Sequence, residues 1–330
     1  MIVGIDESRR PLVVGIGGDS GSGKSTLAAA FYDLLGEERI TTICLDDYHS
    51  LDRRERNLVG VTALNPRANN FALMEENLWA LKRGESVEKP VYNHSDGTFG
   101  EAVTVVPREV VIVQGLHPFL VSGVRHAFDL KVWLDPEPEL RLQWKVQRDV
   151  AKRGYSEEQV REELEARRPD AEAYIDPQRK EADMVVRFRR PVPSLRDMGH
   201  LNVRIEHRQS LPRLSLDNRL EDSRRVVTEL EVTDPDGLTV DAIEIDGRLS
   251  QEEALLLEES IWAHLDERHH HLRELPSESL GAFDEPDARG RSDPLALCQL
   301  VLAHRILSAE KSLLVRLTAA QQEHLDDHVH

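Results

Sequence analysis

Short apolar runs and helix-spaced apolar positions take turns along the first 190 residues. Leu12 to Ile16, Ile40 to Leu45, Glu109 to Val113, Leu130 to Leu134 and Ala182 to Phe188 are compact apolar stretches of the kind that become buried parallel strands. Between them, Leu27, Phe31, Leu34 and Leu35 fall on one helix face ended by Gly36, and Phe71, Met74, Leu78 and Leu81 on another ended by Gly84. Pro138 to Lys152 has helical character, and a Ser156–Gln159 capping box opens a helix that Pro169 is expected to close. Two segments, Ser50 to Asn70 and Lys89 to Gly100, show no clear period and read as loops. This alternation predicts an α/β fold with a doubly wound, mostly parallel sheet.

Past residue 190 the pattern changes. Val203 to Glu206, Arg225 to Val232 and Leu238 to Ile245 alternate apolar and polar side chains, and Asp234-Pro235-Asp236-Gly237 makes a hairpin turn between the last two. A second capping box, Ser250 with Glu253, opens a helix to about Arg273; Pro276 to Pro294 reads as a mobile acidic loop, and Leu295 to about Leu317 as the last helix. The expected organisation is a core over 1–190 and a smaller C-terminal α+β region over 191–330 that completes the subunit.

The first strand and first helix are joined by Gly17 to Thr26, which satisfies G-x-x-x-x-G-K-[ST] from Gly18 to Ser25. Gly18, Asp19, Ser20, Gly21, Ser22 and Gly23 supply a curled backbone whose N–H groups face inward at a helix N-terminus, a nest for polyphosphate. Lys24 brings a mobile cation to the outer phosphates, Ser25 a hydroxyl for magnesium, and Thr26 ends the loop. Read this way, the loop calls for a nucleotide triphosphate with Mg2+ and leaves the reaction open.

Composition narrows the partners. A net charge of −18 disfavours nucleic acid and anionic membranes, which recruit basic surfaces. No apolar run approaches the about 18 residues that span a bilayer, and no secretory leader is evident, so a soluble cytoplasmic protein is expected. Two distant cysteines, Cys44 and Cys298, make neither a disulfide framework nor a metal site. His269 to His271 and the histidines at 324, 328 and 330 lack spaced carboxylate partners and are expected to be plain surface residues.

Three constellations bear on chemistry. Asp46 and Asp47 end the second strand, where ligands of parallel sheets gather. One could accept a hydroxyl proton during attack on a γ-phosphate while the other orients water or metal; solvated turn residues are the plain alternative. Arg141, Lys145, Arg148 and Lys152 share a helix face, and Arg148, Arg153 and Lys145 could fold over a transferring phosphoryl group, although such a stripe is ordinarily a solvated face. His49, Arg53, Arg54 and Arg56 make a locally basic loop suited to an acceptor that already carries phosphate.

These residues resemble the phosphoribulokinases of cyanobacteria and chloroplasts, within the P-loop kinases that include uridine kinase. The resemblance rests on Cys44 to Arg53, Thr62 to Phe71, Glu88 to His94, Gly115 to Pro118, Gln147 to Tyr155 and Tyr174 to Gln178. It is dense from residue 12 to about 187 and thin afterwards, where Ile245 to Ser250 carries most of it. It implies MgATP-dependent phosphorylation of ribulose 5-phosphate to ribulose 1,5-bisphosphate, a Calvin-cycle step, by a homodimer. Asp46 then matches the catalytic base, His49 and Arg53 the sugar-phosphate contacts, Arg148 and Arg153 the cationic lid, and Tyr92, His94 and Lys145 further active-site positions. There are two departures. Gln114 stands where the family has a metal-organising Glu, and Ser22 where photosynthetic relatives carry the cysteine that pairs with the counterpart of Cys44. No thioredoxin switch of that kind is expected.

Overall fold

The computed structural model describes residues 10–190, 201–208, 227–263, 280–284 and 289–309. The histidines at 269–271, 324, 328 and 330 lie outside the described residues, as do the leader and the far ends of the last two expected helices. Strand β1 (Leu12–Gly17) enters helix α1 (Lys24–Leu35), followed by β2 (Ile40–Cys44), α2 (Arg53–Val59), α3 (Phe71–Lys82), β3 (Val87–Asn93) and β4 (Thr98–Val105). The chain continues through β5 (Val110–Gly115), α4 (Ser122–Arg125), β6 (Leu130–Leu134), α5 (Pro138–Arg153), α6 (Glu157–Asp170) and β7 (Met184–Arg189). Beyond residue 190 come β8 (Asn202–His207), β9 (Val227–Thr233), β10 (Thr239–Ile245), α7 (Gln251–Ala263), β11 (Ala282–Asp284), β12 (Arg289–Arg291) and a helix over 293–309.

The central sheet has eight strands in the order β2-β5-β1-β6-β7-β8-β10-β9. The first five run parallel, as the apolar runs predict, and the last three add antiparallel. Alternate residues of β1 face opposite ways: Leu12, Val14 and Ile16 join one apolar cluster and Val13 another, so both faces of the sheet are covered. The first cluster holds Phe31 and Leu35 of α1 together with Leu257 of α7 and Val301 and Ile306 of the last helix. Each such side chain removed from water contributes about 1.5–3 kcal/mol. The C-terminal elements therefore share the core that backs the phosphate loop. Among the described residues no helix is long and apolar enough to cross a membrane.

Several local expectations are corrected. The stretch 50–70 contains α2, whose N-cap Asp52 and Glu55 form a reciprocal capping box, and a 3-10 turn at Pro66–Ala68. The stretch 89–100 belongs to the β3–β4 hairpin, turned at Asp96 and Gly97. Helix α6 does not stop before Pro169; it carries the proline internally and runs on to Asp170, which accepts hydrogen bonds from Thr62 Oγ1 (2.6 Å) and Asn65 Nδ2 (3.1 Å). Within 276–294, Ala282–Asp284 pairs with Arg289–Arg291.

Candidate active site

Parallel register brings the ends of β1, β5 and β2 to one edge, with Ile16 opposite Gln114 and Cys44 opposite Gln114. The phosphate loop leaves that edge and closes over the N-terminus of α1. Gly21 takes φ +84°, and a Cβ there would lie 2.9 Å from Lys145 Cβ and 3.2 Å from Arg141 O, so only glycine lets α5 lie this close. Lys24 Nζ donates to Gly18 O (2.8 Å) and Asp19 O (2.9 Å). Burial lowers its pKa to about 8, against the opposing pull of Asp46 and Asp19. The hydroxyls of Ser25 and Thr26 lie exposed at the helix start, whereas Ser22 Oγ is buried without a hydrogen-bond partner.

A 3-10 turn, Leu45–Tyr48, follows β2 and sends the two aspartates in different directions. Asp47 accepts the Tyr92 N–H (2.9 Å) and the Lys89 ammonium, and so fastens the β3–β4 hairpin. Asp46 instead faces a cavity of about 890 Å³, with His94 Nε2 3.9 Å away. Burial pushes its pKa up, but His49, His94 and Lys24 outweigh that and hold the carboxyl below its ordinary value. His49 and His94 are both lowered by burial, with Arg56 adding to the effect on His49 and Arg153 on His94. The geometry thus separates an aspartate that holds structure from one that is available to a ligand.

Of the sequence-selected residues, Ser20, Lys24, Ser25, Asp46, His49, Arg53, Tyr92, His94, Gln114, Arg148 and Arg153 all line this cavity. His49 is fixed by Asn69 (3.0 Å) and an edge contact with Tyr92; Arg53 donates to His94 O (2.6 Å); Tyr92 OH accepts from Arg56 (2.8 Å). Arg54 lies instead in an outer groove with Asn57 and Asp96. Lys145 is also absent from the cavity lining. It is 1% exposed, bonded to the fully buried Asp149 at 2.6 Å, so the stripe on α5 is not simply a solvated face.

Asp149 and Arg167 were not singled out by sequence, whereas Arg56 of the expected basic loop was, and it lines the cavity. Asp149 gathers Lys145, Arg148 (2.9 Å) and Arg153 (3.4 Å); its one visible signal is its i,i+4 spacing from Lys145 and to Arg153. Arg167 lines the cavity from α6 and reaches Asp19 Oδ1 at 3.1 Å, while Arg141 bonds the other oxygen and Arg148 Nη2 donates to Ser20 Oγ (3.1 Å). Nothing in the local pattern around Arg167 announces that long-range pair.

For a metal, the described residues hold no group of three or more His, Cys, Asp or Glu able to cage an ion. Ser25, an exposed residue, and Gln114 line the same cavity as Asp46, and their hydroxyl and amide oxygens fit a magnesium ion whose remaining ligands are phosphate and water. Cys44 borders the same cavity, and burial followed by Asp46 and Asp47 pushes its thiol pKa up, which leaves it a poor nucleophile.

Comparison with known proteins shows the family. Residues 13–192 match the model of the Phosphoribulokinase / Uridine kinase family. The chain is 50% identical over 177 residues to phosphoribulokinase of Synechocystis sp., covering 54% of this chain and 53% of that protein. It is 44% identical over 192 residues to the chloroplastic phosphoribulokinase of Mesembryanthemum crystallinum (53% and 48% covered), and 31% identical over 184 residues to uridine kinase of Geobacillus kaustophilus (54% and 86%). Among solved structures, phosphoribulokinase from Rhodobacter spheroides aligns with a TM-score of 0.54 at 18% identity, over 76% of this chain and 95% of that one, a likeness of fold. The chain spans about half the length of the phosphoribulokinases it matches in sequence. With the phosphate loop, the strand-end aspartate and the matched region coinciding, the chain belongs to the phosphoribulokinase / uridine kinase family.

Proposed function

We propose that this chain transfers the γ-phosphoryl group of ATP to the terminal hydroxyl of ribulose 5-phosphate, giving ribulose 1,5-bisphosphate and ADP. The observation that carries this reading is one cavity shared by the phosphate-loop Lys24, the ionised Asp46 and the cations Arg148, Arg153 and Arg167. Asp46 takes the hydroxyl proton as that oxygen bonds to phosphorus and the bond to the ADP oxygen breaks. Lys24 and the arginines hold the negative charge spread over the transferring group. Magnesium, held by Ser25 with Gln114 beside it, would neutralise phosphate charge.

His49, Arg53, Arg56 and Tyr92 make the opposite wall basic and hydrogen-bonding, which favours an acceptor with its own phosphate over a nucleoside. Gln114 supplies a neutral amide and no charge to a cation, an observation that favours a catalytically weakened nucleotide-binding regulatory protein as second reading. The proposal includes a cytoplasmic homodimer; β9, an outermost strand of the sheet, offers an edge for self-pairing.

ATP consumption measured against pentose phosphates, uridine and pantothenate tests the substrate. Turnover with ribulose 5-phosphate well above every other acceptor is expected. Preference for a different acceptor, or turnover with none, overturns it.

A further inference from the structure

A second cavity, of about 400 Å³, adjoins the first, and Lys24, Ser25 and Arg148 line both. Among the described residues, Lys24 and Arg148 are the only charged side chains around it, and both sit at the phosphate-loop end. Away from the loop its walls are Gln147 and otherwise mainly apolar: Trp144 and Phe188, whose rings meet edge-on with centroids 5.7 Å apart, then Leu201, Phe283, Leu295 and Cys298. A flat, neutral heterocycle joined to a polyphosphate fits such a slot, since the ring finds aromatic and aliphatic surface while the charge stays on the loop.

Four of those wall residues lie beyond 192, where the family match ends. They are not loose additions. Phe283 lies flat across Gly290, where a Cβ would come within 2.5 Å of its ring. Gly281 N–H donates to Gln299 Oε1 at 2.7 Å, tying the β11–β12 hairpin to the last helix, and Arg291 reaches Glu258 of α7 at 3.6 Å. Cys298 is buried in the core cluster that also holds Phe31 and Leu35 of α1.

We infer that the C-terminal region beyond the family match, through Phe283, Leu295 and Cys298, builds the wall that receives the nucleotide's base, so that nucleotide affinity depends on it. This rests on the nucleotide-binding reading above. The test measures binding of ATP and of inorganic tripolyphosphate, which engages the phosphate loop without a base, by calorimetry to the unsubstituted chain and to Leu295→Trp and Phe283→Ala. Leu295 is only partly buried, so Trp fills the slot from its rim. ATP affinity is expected to fall about tenfold in Leu295→Trp and about fivefold in Phe283→Ala, with tripolyphosphate affinity unchanged. Matching melting curves establish that both variants are folded. Unchanged ATP affinity in both folded variants overturns the inference, as does an equal loss of tripolyphosphate binding, which places the effect in the loop. An unsubstituted chain that binds neither ligand overturns the nucleotide reading itself and this inference with it.

Discussion

The carboxylate of Asp19, in the phosphate loop, and the guanidinium of Arg167, in α6, meet at 3.1 Å, while Arg141 of α5 takes the other carboxylate oxygen. One loop residue therefore seats both helices that carry the cations. Asp19→Asn should lower kcat/KM by about tenfold to a hundredfold, a loss of about 1.4–2.8 kcal/mol of transition-state stabilisation. Steady-state kinetics alongside melting curves checks this; a fall in melting temperature with unaltered kinetics would make the contact purely structural.

Asp46 and Asp47 should respond differently to the same change. With a general base worth about 100- to 10,000-fold, Asp46→Asn should reduce kcat by that order while ATP affinity stays put. Asp47→Asn should mainly loosen the hairpin held by Lys89 and Tyr92, visible as faster amide exchange over Val87–Val105.

Removing one member of the buried Asp149–Lys145 pair leaves an unmatched charge in the protein interior. Asp149→Ala should cost about 3–5 kcal/mol in urea denaturation, and Asp149→Leu combined with Lys145→Met should cost less than either single change. Burial raises the Asp149 pKa, but Arg148 and Lys145 lower it further, so its net value is depressed. Its stabilisation is thus present above the ordinary carboxylate pKa and is lost as pH falls through the lower folded value.

With a pKa of about 8, Lys24 is largely protonated at pH 7 and largely neutral at pH 9 in the ligand-free chain. A bound triphosphate favours the ammonium and raises that value. ATP binding near pH 9 should therefore take up a proton, and near pH 6 Lys24 should contribute none. Calorimetry in buffers of different ionisation heat reads this directly; absence of uptake at pH 9, or uptake that persists in Lys24→Met, would contradict it.

Gln114→Glu places a carboxylate at the end of β5, next to Ile16 and Cys44 in register. It should lower the magnesium concentration for half-maximal rate by about tenfold, because a full negative charge replaces an amide dipole. An unchanged magnesium requirement would show that the amide position takes no part in holding the ion.

What could be read from residue order was the part whose chemistry is local. Gly17 to Thr26 carries its own turn, helix start and charge, and the β-strand runs bury both faces, so their apolar signal is strong. Helix α2 and the β3–β4 hairpin were passed over because they bury little: α2 reads RRERNLV, and β4 is almost wholly exposed. Their signals were punctuation, the Asp52–Glu55 box and the Asp96-Gly97 turn. Lys145 and Arg167 were opaque for another reason. Whether a charged helix face is solvated depends on what packs against it, here the phosphate loop and α6, and no window of sequence contains that information.

Lys24 spends its hydrogen bonds on the loop's own carbonyls, Gly18 O and Asp19 O. Two of its three ammonium donors are thereby engaged, and a phosphate oxygen either takes the third or competes with those carbonyls. A triphosphate can engage the lysine, the loop amides and Arg148 together, where a smaller anion meets only part of that set. The ammonium is thus already ordered over the loop, and binding a polyphosphate exchanges carbonyl for phosphate oxygens without first fixing a mobile side chain.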